Sequence, residues 1–557
     1  MRQLTRATPL FTGLAEPTTG EVHGEVHTRR WVVELILDLV DYTPDRDLSS
    51  VRMVEPACGH GAFLEAIAER VSRSCRLRNQ SLRSAKDSVR ALDLLPANVA
   101  ASREAVRRVL VSEGWDRRVS SEISRAWVRQ GDYLLDDSPD LSDVDVVVGN
   151  PPYIRLEDVP EQRMRLYRET CQTMTGRSDV YVGFFETALT SLTAEGRLGF
   201  ICADRWMRNQ YGRDLRRLVC DNGSVDAIIT MHDVDVFYDQ VSAYPAITLL
   251  RRGSQGVVAA ARADRSFGAD HAPRLLKWIE GEELGLESEG FKAARLPHWF
   301  SGDDHWPVAS PARLSVIEAL NDRFVALGDP ESRARVGIGV ATGADRIFIT
   351  KDPTLVETDR LLPLAMVADT RAGELHWSGN YLVNPWTASG RLVDLAEYPK
   401  LAKYLCAHSD ALAGRHVGRR QPMRWYRTID KVDASLTPLP KLLFADMKLT
   451  SEPILDPGGH YPHHNLYFVV SDVWDLRVLG GLLISKVAEA FVDAYAVKMR
   501  GGTLRFQAQY LRRIRLPRPE ELTAGQCEAL AEAFDRRDVA VATEVALTVY
   551  GLTGLPD

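Results

Sequence analysis

Between Trp31 and Arg252 the sequence alternates short apolar runs with stretches of helical periodicity, and this alternation constrains the fold more than any other feature. "RWVVELILDLV" carries apolar residues at helical spacing, "VRMVEPACGHG" is a strand running into a glycine-rich turn, and "AFLEAIAERV" is again helical. "SVRALDLLP" is a strand with an acid at its end, and "VDVVVGNPPY" is largely apolar until it stops at a glycine. Further on, "YVGFFETALTSLT" and "YGRDLRRLVCD" read as helices, while "RLGFICADRW", "VDAIITMHD" and "YPAITLLRR" read as strands. A strand with no polar face must be covered on both sides, and strands alternating with helices build a mostly parallel sheet in an α/β domain.

At 557 residues the chain is too long for one core, and about two to four domains are expected. The character changes after "RRGSQG", so residues 1–253 are expected to form one domain and 254–557 another of mixed α+β type. Strand-like "VGIGVATGADRIFIT" and "KLLFAD" alternate there with helical "VLGGLLISKVAEAFVDAYAV", and the chain ends in "CEALAEAFDRRDVAVATEVALTVYGL". The seven cysteines form no CxxC pair, which points away from a zinc site or disulfide framework, and no metal is expected. No apolar run approaches the ~20 residues of a bilayer span, and "MRQLTRATPLFTG" lacks a secretory core, so the expected location is the cytoplasm. A net charge of −7 disfavours indiscriminate coating of nucleic acid but permits a basic cleft on an acidic body. The arginine-rich segment from Arg70 to Arg90 reads as a solvated helical extension more than as a nucleic-acid contact.

Three loops at strand ends carry the first group of candidate residues. Glu55, Pro56, Ala57, Cys58, Gly59 and Gly61 make a turn whose small residues let backbone approach a ligand, ahead of a helix N-terminus. The turn is neither GxxxxGK[ST] nor GxGxxG, which disfavours a polyphosphate. Asp93 stands where a carboxylate accepts from ribose hydroxyls, or caps a helix, and Asp132 follows in "RQGDYLLDD". A nucleoside without polyphosphate fits the set.

The second group is Asn150-Pro151-Pro152-Tyr153. The asparagine brings a carbonyl acceptor to the strand end. Pro152 restricts Pro151 to an extended backbone, aiming a second carbonyl into the same space. Two acceptors side by side suit an amino group with two hydrogens, and Tyr153 offers a face on which a ring can stack. An exocyclic amine is a poor nucleophile, because its lone pair is delocalised. Accepting both hydrogens draws the nitrogen towards tetrahedral geometry and frees that pair for in-line attack on a sulfonium methyl, so positioning and electrostatics supply the catalysis.

These motifs, in this order, resemble the gamma-class N6-adenine DNA methyltransferases of the TaqI/Eco57I-type methylase family. "EVHTRRWVVELIL" is similar to the family's first cofactor segment, "EPACGHGAFLEAI" to its glycine loop and "GNPPY" to its catalytic motif; "GRSDVYVGFFETALTSLTAEGRLGFICADRW" is also typical. The resemblance implies an S-adenosylmethionine-dependent methyltransferase fold with a mostly parallel seven-stranded sheet, followed by a target-recognition domain. It places Thr28 near the methionine moiety of S-adenosyl-L-methionine, Asp93 on the ribose, and Asp132 with Tyr133 at the cofactor's adenine. Phe237, in "DVDVFYDQVSAYPAITLL", would face Tyr153 across the extruded base. His27, Arg29, Arg30 and Cys58 depart from the family's usual residues.

The implied partner is double-stranded DNA, with a separate restriction endonuclease or defence-system subunits beside it. A base inside a duplex must be flipped out to react, at about a few kcal/mol, and the C-terminal half must grip the duplex. In "RHVGRRQPMRWYR", Arg415, Arg419, Arg420, Arg424 and Arg427 accompany Trp425 and Tyr426 and are expected to touch DNA. "GIGVATGADRIFI" and "RGGTLRFQAQYLRRIRLPRP" resemble segments of the family's recognition domain, with Gly343 and Asp345 equally readable as turn residues. No carboxylate–ExK pattern precedes Thr28, so the chain is expected to modify DNA and not to cut it. The competing readings are an N4-cytosine enzyme, where serine is more usual at the Asn150 position, a protein-glutamine or RNA methyltransferase, and an inert DNA-binding subunit.

Overall fold

The computed structural model describes residues 26–238, 244–300, 302, 305–371, 373–496 and 504–556. The N-terminal stretch read for a secretory signal lies outside them, as do parts of the motifs containing Phe237 and "RGGT". Contacts divide the chain into two units, residues 1–315 and Val316–Pro556.

The first unit is built on β1 (Met53–Glu55), β2 (Val89–Asp93), β3 (Val128–Gln130), β4 (Val144–Gly149), β5 (Leu192–Ala203), β6 (Gly223–Thr230) and β7 (Pro245–Arg252). Their order is β3-β2-β1-β4-β5-β7-β6. β1 to β5 pair in parallel, and β7 is inserted antiparallel between β5 and β6. This is the mostly parallel seven-stranded sheet that was expected. β3, Val128–Gln130, was not expected from the sequence; it follows directly on the helix Arg117–Trp127.

The sheet does not stop at Gly253. β8 (Val258–Ala263) pairs in parallel with β6, and β9 (Gly285–Ser288) and β10 (Phe291–Leu296) extend the edge to ten strands. The expected boundary therefore falls inside the first unit. "RRGSQG" ends β7 and begins the short connection to β8 of the same sheet, and is not a linker between domains.

Helices α1 (Arg30–Leu39) and α2 (Ala62–Leu77) pack beside β1. α1 turns Val32, Val33, Leu35, Ile36, Leu37 and Leu39 inward, and Phe63, Leu64, Ile67 and Val71 of α2 join the same core. Arg70 leaves the solvated face assigned to its segment. It is buried and binds Asp38 at 2.7 Å, the Tyr42 carbonyl at 3.0 Å and Glu34, tying the two helices together. A buried guanidinium is tolerable only when carboxylates and carbonyls surround it in this way.

The second unit is of mixed α+β type. Leu466–Ser471 and Lys441–Ala445 are the central strands of an antiparallel sheet edged by Ala334–Ile338 and Ile454–Asp456. The long helical pattern after Asp475 breaks at Ser485 into Leu476–Ile484 and Lys486–Tyr495, because the Ser485 hydroxyl caps the second helix. Ala524–Arg536 and Val539–Tyr550 complete the unit. Among the described residues, no helix is long and apolar enough to cross a membrane.

Candidate active site

The parallel strands reverse their direction of winding between β1 and β4, the position in an open α/β sheet where ligands bind beyond the strand ends. A cavity open to solvent lies there. The turn after β1 lines it with Glu55, Pro56, Ala57, Cys58 and Gly59; the loops after β2 and β3 add Asp93, Asp132 and Tyr133; Thr28, Asn150 and Pro152 close another side. Gly61, Pro151, Tyr153 and Phe237 are not on the cavity wall.

The two glycines of the turn act differently. Gly59 has φ +49° and a Cβ there would meet nothing within 4 Å, so its backbone stands open for a ligand. Gly61, at φ +94°, presses on α3 (Pro96–Ser112), where a Cβ would come within 3.2 Å of Ser102 Oγ. Positive φ at both positions favours glycine. The turn is held from β2: Cys58 N donates to the Leu92 carbonyl (2.9 Å), Gly59 N to Asp93 Oδ2 (2.9 Å), and Ser102 Oγ donates to the Gly59 carbonyl (2.7 Å).

Asp93 thus braces the glycine turn, and its Oδ1 also accepts from Leu95 N (2.9 Å) and Asn98 Nδ2 (3.1 Å) at the start of α3. Glu55 is 1% exposed and its Oε2 has no hydrogen-bond partner among the described residues. Burial, reinforced by Asp93, holds its carboxyl well above the ordinary glutamate range. Asp132 accepts from Tyr167 Oη (2.8 Å) and Leu134 N (3.2 Å), with Arg163 at 3.7 Å. Burial raises it too, against the opposing pull of Tyr167 and Arg163. A pocket with buried acids and an open glycine backbone suits a cationic nucleoside.

Asn150 sits where β4 ends. Its Nδ2 donates to the Val26 carbonyl (3.1 Å) and to Thr28 Oγ1 (3.3 Å), and its enclosed Oδ1 has no hydrogen-bond partner among the described residues. Tyr153 and Phe237 are neighbours, but their rings meet edge to face, with centroids 6.1 Å apart and planes at 81°. The expected parallel slot is not preformed; a flat ring enters only if one aromatic turns.

Several lining residues were not proposed as site residues from the sequence. His27 and His60 stack at 5.0 Å and share a 2.8 Å hydrogen bond across the cavity rim. Arg163 and Tyr167, on the helix Glu161–Thr170, reach Asp132 together. Their i, i+4 spacing places them on one helical face, which was the available signal, but nothing local identified the face as inward.

In the second unit, the expected DNA-contact residues divide. Arg415 donates to the carbonyls of Leu412, Thr342, Trp425 and Arg427 at 2.6–3.1 Å, so its guanidinium is occupied as a loop clamp, contrary to its reading as a DNA contact. Trp425 and Tyr426 pack against the core, and Tyr426 Oη donates to the Val393 carbonyl (2.8 Å). Arg427 is drawn inward over Trp386, while Arg419, Arg420 and Arg424 remain exposed. Gly343 is a turn residue at φ +70°, and Asp345 anchors His463 at 3.2 Å.

The sheet order, the reversed β7 and the pocket at the β1–β4 junction together define a methyltransferase fold. Residues 129–237 match the model of the Eco57I restriction-modification methylase. Type II methyltransferase M.PaeR7I of Pseudomonas aeruginosa is 41% identical over 539 residues, 96% of this chain and 92% of that protein. Type II methyltransferase M.BstVI of Geobacillus stearothermophilus is 36% identical over 92% of this chain and 93% of that protein. The Type IIL restriction-modification enzyme MmeI, solved in complex with DNA, shares the fold with a TM-score of 0.51 and 11% identity, over 95% of this chain and 74% of that one. The chain belongs to the Eco57I-type restriction-modification methylases, within the Type II methyltransferases.

Proposed function

We propose that this methyltransferase transfers the methyl group of S-adenosyl-L-methionine to the N6 amino group of an adenine flipped out of duplex DNA, in a restriction-modification setting. The observation that carries the proposal is the Asn150 Oδ1: an enclosed carbonyl oxygen with no donor among the described residues, on the same pocket as a glycine turn open to a ligand. In this reading the turn from Glu55 to Gly59, with Asp93, Asp132 and Tyr133, holds the cofactor, which supplies an electrophilic methyl when bound. Asn150 and the Pro151 carbonyl accept the amine's hydrogens, and Tyr153 and Phe237 flank the base. Arg419, Arg420 and Arg424, which are exposed, would meet phosphates in this reading. Mass spectrometry of nucleosides from DNA methylated by the purified protein tests it: N6-methyladenine is expected, and N4-methylcytosine or no modified base would overturn it.

The flanking rings carry a prediction of their own. Tyr153→Ala should weaken capture of the base, Tyr153→Phe should restore it, and Tyr153→Leu should not, because stacking needs a π-face. Fluorescence of a 2-aminopurine placed at the target position reports the capture, and equal signals from the Phe and Leu variants would remove the stacking role.

Glu55 makes cofactor affinity pH-dependent. Burial and Asp93 raise its pKa in the free protein, whereas a cationic ligand favours the carboxylate, so binding releases a proton at pH values between the bound and free pKa. Affinity should therefore increase as pH rises from the ordinary glutamate range towards the raised value. The same shift makes Glu55's contribution to the stability of the free protein greatest at low pH and lost as pH rises through that window. Calorimetric titration in two buffers of different ionisation enthalpy measures the proton release; Glu55→Gln should reduce it, leaving any share from Asp132.

A further inference from the structure

An asparagine amide has a donor end and an acceptor end of nearly equal size, and the proposed chemistry uses only the oxygen. Rotation by half a turn would present two N–H groups to an amine that needs acceptors. We infer that Thr28, together with the Val26 carbonyl, is the positioning element that holds the Asn150 amide with its oxygen towards the pocket; this rests on the reading of Asn150 given above.

The geometry separates the two contributions. The Val26 carbonyl, 3.1 Å from Nδ2, can only accept, so it selects the nitrogen end and would repel the oxygen. Thr28 Oγ1, 3.3 Å away, takes the remaining hydrogen. With both N–H groups engaged, the acceptor end is left buried with no hydrogen-bond partner among the described residues. An orphaned buried acceptor is costly, and it persists because the amide cannot turn to relieve it. Preorganisation of this kind lets the oxygen act without reorganising during reaction.

The element is itself strapped down. Thr28 forms an antiparallel bridge with Phe237, Arg29 N donates to the Val236 carbonyl (3.0 Å), Tyr238 N donates to the His27 carbonyl (2.9 Å), and Arg29 pairs with Asp235. One short ladder therefore joins the residue that orients Asn150 to the backbone that carries Phe237. Thr28 is 4% exposed, so water does not replace its hydroxyl if that is removed.

Thr28→Val keeps the shape and deletes the acceptor. The expected result is a fall in kcat of about tenfold, the worth of one hydrogen bond, with the calorimetric Kd for S-adenosyl-L-methionine within about twofold of wild type, since a tenfold change would need ~1.4 kcal/mol. Thr28→Ser should restore kcat. An unchanged kcat in the valine variant would overturn the inference, as would a weakened cofactor Kd at unchanged kcat, which would make Thr28 a direct cofactor contact. Matching Tm values of the three proteins control for folding. Because rates are compared on the DNA that the wild type methylates, an adenine-to-cytosine correction of the proposed function leaves this test standing, whereas a wild type that methylates no DNA refutes that reading first.

Discussion

Asn150→Ala is expected to lower the methyl-transfer rate by about 10³-fold, or ~4 kcal/mol in the barrier, the scale seen when one preorganised group aimed at developing charge is removed. Cofactor and duplex binding should change little. The reason lies in what the side chain touches: its nitrogen is spent on Val26 and Thr28, and its oxygen has no hydrogen-bond partner among the described residues, which leaves it available to an amine in the proposed reaction. Loss of such a group falls on the transition state and not on the ground state. Single-turnover transfer of labelled methyl, with cofactor affinity measured in parallel, checks this. A variant within tenfold of the wild-type rate would show that the amine is activated elsewhere.

The second large effect is on stability. Lys441 and Asp456 are both fully buried, 3.0 Å apart, on adjacent strands of the second unit. Lys441 Nζ also donates to the His460 carbonyl (3.1 Å), and Asp456 Oδ1 accepts from Gly458 N (3.0 Å). Hydrogen bonds from His460 and Lys441 keep the Asp456 carboxyl below its ordinary range in spite of burial. Lys441→Met should destabilise the protein by about 3–5 kcal/mol, because it strands a buried carboxylate. Adding Asp456→Leu should recover most of that loss, since the penalty comes from the unpaired charge and not from losing the pair. Denaturant unfolding of the single and double variants measures both steps, and a double variant no more stable than the single would contradict the desolvation account. The depressed Asp456 value also means that its stabilisation is complete above the ordinary aspartate range and is lost as pH falls through the folded value.

How much of this was legible beforehand differs from residue to residue. The glycine turn, the acid ending β2 and the Asn150–Tyr153 tetrapeptide could be read from short strings, because each depends on local backbone: positive φ at Gly59 and Gly61, and the proline restraint that follows Asn150. The Gly253 boundary failed because β8 consists of small, weakly patterned residues, "VAAARA", that become a strand only when paired with β6. Arg415 failed for a related reason. A guanidinium in an arginine-rich string looks available for phosphate, yet four carbonyls, one from Thr342 far earlier in the chain, surround it in the fold. Arg70 likewise read as surface and proved to be a buried tie between two helices.

By itself the sequence determined the sheet-forming order of strands and helices, the glycine turn after β1 and the proline-restrained tetrapeptide at the end of β4. Only the tertiary structure decided which end of the Asn150 amide is held by the protein, that Tyr153 and Phe237 meet edge to face, and that the Arg415 guanidinium is enclosed by carbonyls while Arg419, Arg420 and Arg424 stay exposed. The physical reason is the range of the interactions. Backbone restraint and periodicity act within a few residues, whereas the orientation of an amide, the angle of two rings and the occupancy of a guanidinium depend on groups brought together from distant parts of the chain.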